Sequence, residues 1–136
     1  MKKFLVSGIA AGIVILILWL VLSSVFATLF PYDVLTLAGM RQATDPVMLL
    51  FFLHPFVMGF GLAFVYLKLE KAIKGDAVTK GMSFGTLMWF VGGLPSAFSV
   101  FTSMNYPIGF TLDSLIGSAI EMLAAGITIA WAQERF

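Results

Sequence analysis

Two ionisable side chains stand inside otherwise apolar runs: His54 in FFLHPFVMGFG and Glu121 in GSAIEMLAAG. His54 is the only histidine of the chain. A carboxyl and an imidazole in a medium of low dielectric constant are groups that can hold or pass a proton, or neutralise a bound cation. The same two groups can equally act as structural glue. A protonated glutamate can donate to a free carbonyl, and a neutral histidine to a backbone C=O. Pro55, directly after the histidine, has no N–H and so denies the Phe51 carbonyl its usual helical partner.

Other chemistries lack their residues. The sequence holds no HExxH, no GxSxG, no phosphate-cradling glycine loop and no histidine pair for a bis-histidine haem. With no cysteine there is no thiolate nucleophile, no disulfide and no Cys-based metal site. The eight methionines, Met58 one turn from His54 among them, are explained by packing, so neither metal nor cofactor is expected. Asp45 and Asp113 read as charges at helix starts. No enzymatic activity is expected.

The elements that must position these residues follow from composition. Charged residues make up 11% of the chain and apolar residues 60%, where a soluble domain carries about 25% charged. The mean hydropathy is +1.03. These values describe an integral membrane protein, and a net charge of +1 gives no reason to expect a nucleic-acid partner. A bilayer core needs a helix of about 20 mostly apolar residues. Four stretches qualify, at about 4–30, 46–69, 82–101 and 112–132, within one membrane domain over 1–136. Asp45-Pro46 reads as a cap and first helical residue, and Gly75 after KAIK as a helix end. The first stretch follows MKK but is too long for a signal-peptide core of about 7–15 residues, so it is expected as a retained span.

Seven of the eight lysines and arginines lie before span one, around the 69–81 connection or after span four; only Arg41 lies on the other side. The positive-inside rule then puts both termini in the cytoplasm of a multi-pass cell-membrane protein. The expected fold is all-α, a four-helix membrane bundle.

Small residues recur at helical spacing on span three (Gly81, Gly85, Gly92, Ser96, Ser99, Ser103) and on span four (Ser114, Gly117, Ser118, Glu121, Ala125), and Gly8 and Gly12 form a GxxxG match in span one. In lipid such faces let backbones approach, so Gly8, Gly12, Gly81, Gly85, Gly92 and Gly117 are expected packing positions. Glu121 shares the small-residue face and is directed inward. Counting at 1.5 Å per residue places His54 and Glu121 at one depth, about 14 Å below the outer surface. The expected site is therefore His54 facing Glu121, near Ser96 and Ser118. A charge near the bilayer centre costs at least about 2.5–3.5 kcal/mol, which gives Glu121 reason to be protonated or partnered.

With Trp19 in span one, Gly85 and Trp89 in span three, and Gly126 and Trp131 closing span four, the layout resembles small uncharacterised four-span membrane proteins grouped as domains of unknown function. That resemblance implies no activity. The size is also that of small four-span multidrug exporters, but those carry their essential glutamate in the first span, where this chain has no acidic residue. The leading expectation is a non-enzymatic polytopic protein with a small polar pocket in its outer half, binding a small or lipid-like ligand or a partner. The alternatives are a proton-coupled small-solute transporter using Glu121, or an accessory subunit of a larger membrane complex. Partners are expected to be the lipid bilayer and either a second copy or other membrane subunits.

Overall fold

The computed structural model describes all of residues 1–136 and contains helices and no strand. Four helical rods are long and apolar enough to cross a membrane: Lys2–Leu29, Pro46–Leu69, Ala77–Ser103 and Ile108–Arg135. The third starts ahead of the expected Met82 because Asp76 caps it, accepting the Thr79 N–H at 2.9 Å. The fourth starts at Ile108, directly after Pro107.

Only the first rod, α1 (Lys2–Leu29), is an uninterrupted α-helix. The second opens with eight residues of 3₁₀-helix, Pro46–Leu53, and continues as α2 (His54–Leu69). The third is α3 (Ala77–Met88), a π turn at Trp89–Gly93, and α4 (Leu94–Ser103). The fourth is α5 (Ile108–Leu112), a π turn at Asp113–Gly117, and α6 (Ser118–Arg135). Prolines mark two of these changes. Pro55 is the second residue of α2, where an N–H has no helical partner anyway, and the Phe51 carbonyl is met by the His54 N–H through a 3₁₀ bond. Pro95 follows the π turn of the third rod at once, so the bond it cannot make falls where the ladder has already changed pitch.

The rods form two tightly seamed pairs. Along α1 and α2, a Cβ on Gly8 would strike the Phe60 ring, one on Gly12 the Phe56 ring, and one on Gly59 the backbone of Gly8 and Gly12. Along α3 and α6, Gly81 lies on the backbone of Gly126 and Ile127, and Gly85 on that of Met122 and Leu123. Such backbone proximity brings many close van der Waals contacts along each seam. Two other glycines behave differently. A side chain on Gly92 would meet open space, because the π turn has rotated it off the seam. Gly117 clears room for the carboxylate of Asp113 on its own rod rather than for another helix.

α1 packs on α6, which joins the two pairs. The core fills the bundle from its middle to the end that holds both termini: Ala11, Ile15, Leu62, Ala63, Tyr66, Phe84, Met122, Ala125, Ile129 and Ala130. There Tyr66 meets Phe84 edge-on at 5.1 Å, linking α2 to α3. A buried polar clasp closes the same end. Gln133 donates through Nε2 to Ser7 Oγ at 2.9 Å, Ser7 donates to the Lys3 carbonyl at 2.7 Å, and Lys3 Nζ donates to the Gln133 carbonyl at 2.7 Å.

Candidate functional site

The end of the bundle away from the termini is hollow. A cavity of about 590 Å³ opens between the far halves of the first and fourth rods and the 3₁₀ segment, beneath the 30–45 connection. That volume suits a small organic molecule.

Each wall has a local cause. Trp19 and Ser23, four residues apart, share one face of α1. On the 3₁₀ segment Met48, Leu49, Phe51 and Phe52 line the cavity while remaining partly exposed, and the Trp19 indole lies edge-on to Phe51 at 5.1 Å and to Phe52 at 6.4 Å. The fourth rod supplies Phe110, Asp113, Ser114, Ser118 and Glu121. Its π turn bonds residues five apart, which sets Asp113 over Ser118 and brings Asp113 onto the same face as Ser114 and Glu121. Trp89 braces this turn from behind, its Nε1–H donating to the Leu115 carbonyl at 3.0 Å. The connection contributes Val34, Leu35, Met40 and Ala43 as a cover.

The polar groups on this wall are acceptors whose donors are already spent. Ser23 Oγ donates to Asp113 Oδ2 at 2.9 Å. Ser114 donates to the Phe110 carbonyl at 2.9 Å and Ser118 to the Ser114 carbonyl at 2.5 Å. No hydroxyl hydrogen is left for the Glu121 carboxyl. Nor is a protein cation: Arg41 is held by Asp45 at 2.7 Å, and Lys80 pairs with Glu134 at the opposite end of the bundle. Arg41, with the Val47 N–H, keeps the Asp45 carboxyl below its ordinary pKa. Behind Asp113, Tyr32 packs edge-on to Phe110, its hydroxyl buried without a partner. Burial, and secondarily the Asp113 charge, push that phenol above its ordinary pKa.

Of the expected site residues, Glu121 and Ser118 line this cavity. His54 does not. Its exposed ring stacks on Phe51 at 6.1 Å and lines a separate shallow groove along α2 with Val57, Met58, Gly61, Leu62 and Val65. No hydrogen bond joins His54 to Glu121, and the two open onto different spaces. The reason is the 3₁₀ segment, whose tighter pitch turns Phe51 and Phe52 toward Trp19 and leaves His54 on the other side. Ser96 is likewise exposed, beyond the π turn of the third rod and outside the cavity.

Asp113, Ser114 and Ser23 take the places next to Glu121 that His54 and Ser96 were expected to hold. Asp113 reads as a charge at a helix start when the fourth span is expected from about 112; the rod begins at Ile108 and carries Asp113 more than a turn inside it. Ser23 was signalled only by standing one turn from Trp19. Nowhere in the chain do three His, Asp or Glu side chains converge as metal ligands would. Comparison with protein-family models, with curated proteins and with solved structures finds nothing that matches this chain.

Proposed function

We propose that the chain is a non-enzymatic, four-span protein of the cell membrane, with both termini cytoplasmic, that binds a small and largely apolar molecule in the cavity of its outer half. The observation that carries this reading is the cavity itself. It is walled by Trp19, Phe51, Phe52 and Phe110 and carries a few convergent polar groups on one side, the usual make-up of a small-molecule site. The lysine and arginine distribution supports the orientation. The absence of a base beside any serine hydroxyl other than the Ser23–Asp113 pair, with the single histidine elsewhere, supports binding over catalysis.

The chain has no cysteine, so single cysteines can be added without removing any. Cysteine replacing Ser114 should react with a small neutral thiol reagent, and small aromatic compounds should slow that reaction saturably. An unreactive thiol, or one that no compound protects, refutes the reading. Orientation is read from the same chemistry. Ala43→Cys should react with an impermeant reagent in intact cells and Gly75→Cys only after lysis; the reverse pattern would invert the topology.

A second reading, proton-coupled transport, is favoured by one observation: Asp113 and Glu121 share the cavity. It requires that Glu121→Gln abolish pH-driven solute movement in vesicles.

A further inference from the structure

We propose that the molecule held in this cavity is a lipophilic organic cation, an aryl or alkyl ammonium or phosphonium in type; this rests on the binding reading above and specifies its ligand. The cavity would be a site for apolar molecules whatever its charge. Its polar side is what selects among them.

That side is one-signed. Two carboxyl groups, Asp113 and Glu121, face the same space, and the three serine hydroxyls beside them have committed their hydrogens to Asp113 or to backbone carbonyls. What they present to a ligand is oxygen lone pairs. The single uncommitted side-chain donor on the wall is the Trp19 indole N–H, on the aromatic side. An anionic ligand would meet two carboxylates and one donor. A neutral acceptor, such as a quinone carbonyl, would find no free hydroxyl hydrogen among the serines and could bond a carboxyl only where that group keeps its proton. A cation finds two complements: carboxylates on one wall, and on the other the rings of Trp19, Phe51 and Phe52, whose faces attract positive charge and whose bodies cover apolar groups. The protein offers no internal counter-charge to compete, since Arg41 is bound to Asp45 and the remaining cations lie at the terminal end of the bundle. A permanently charged amphiphile also suits a cavity bordered by apolar rods, because its body partitions into the membrane before it meets the carboxylates.

The test is equilibrium binding to the full chain in nanodiscs of zwitterionic lipid, with empty discs subtracted. The probes are tetraphenylphosphonium, tetraphenylborate (an anion of the same shape) and neutral triphenylphosphine oxide. Tetraphenylphosphonium should bind saturably at one site per chain. Asp113→Asn with Glu121→Gln, both close in shape to the wild type, should weaken it on the order of tenfold or more while leaving the neutral probe unchanged. Ser114→Leu, which fills the cavity, should abolish both. Equal binding of cation and neutral probe, unaffected by the carboxamide substitutions but lost in Ser114→Leu, would overturn the charge assignment and leave the binding site standing. Binding that survives Ser114→Leu, or saturable binding of none of the probes, would overturn both.

Discussion

The two ends of the bundle are built on different plans. At the terminal end every rod is regular α-helix, glycines bring backbones into contact, and Ser7, Tyr66, Phe84 and Ile129 are fully or almost fully buried. At the far end three of the four rods change to 3₁₀ or π geometry, at Pro46–Leu53, Trp89–Gly93 and Asp113–Gly117, and a cavity takes the place of a core. Long 3₁₀ runs and π turns are poorer in hydrogen-bond geometry than α-helix and recur at functional sites. Here one polypeptide solves packing at one end and leaves it unsolved at the other. The lesson is that irregular helix, more than the ionisable residue, marks where a small bundle keeps space for something else.

The sharpest way to break this contrast is to add bulk on each side of it. Gly81→Leu or Gly85→Leu puts a side chain onto the backbone of α6 and should cost about 3 kcal/mol, the upper part of the range for overpacking, measured as loss of the cooperative melting transition in detergent. Gly92→Leu, on the irregular stretch of the third rod, should stay within about 0.5 kcal/mol of wild type. Equal effects would show that the π turn does not rotate Gly92 away from the seam.

Polar substitutions should rank the same way. Gln133→Leu removes the donor that reaches Ser7 and should cost about 1 kcal/mol in the same assay. Ser23→Ala removes a hydroxyl that serves a cavity carboxylate and should cost under about 0.5 kcal/mol, because Asp113 keeps access to whatever fills the cavity. A larger loss for Ser23→Ala than for Gln133→Leu would make the far end the structural one.

The smallest effect is one of pH. Asp76 caps the third rod, and the Thr79 side chain, followed by the Thr79 N–H, holds its carboxyl below the ordinary carboxylate range. A depressed folded pKa adds stability that is present above the unfolded value of about 3.9 and lost as pH falls through the folded one. Melting temperature should therefore decline below about pH 4 with a contribution that Asp76→Asn removes, while at neutral pH that variant, which can still cap, should melt close to wild type. An identical acid decline in both proteins would show that this cap does not titrate with folding.

Much of the terminal end was legible in the sequence. Hydropathy alone gave the rods, because about 20 apolar residues in a row have few other uses, and small-residue spacing gave Gly8, Gly12, Gly81 and Gly85 as close contacts. Gly59, which completes the first seam, lay outside any GxxxG match, and Gln133 looked like an ordinary polar residue at a helix end. The far end was harder. Placing His54, Ser96 and Gly92 by direction assumed a constant 100° per residue, and each of the three lies in or just beyond a segment where that constant fails, while Asp113 reads as a helix-start charge only because the rod begins earlier than expected. Glu121 and Ser118 lie inside the regular helix that follows the second π turn, where that constant holds, and both line the cavity.

The two glycine seams also fix an order of assembly. Each joins neighbours in the chain, α1 with α2 and α3 with α6, so each is a helical hairpin that can close as soon as its second rod is made. The clasp of Lys3, Ser7 and Gln133 is different, because it ties residues up to 130 positions apart. It can form only once the fourth rod has been made through Gln133, so the first hairpin stands with the inner face of α1 uncovered until the second docks. Contacts so distant in sequence are the slow ones. A chain truncated before Gln133 should therefore form both hairpins yet leave them unlocked.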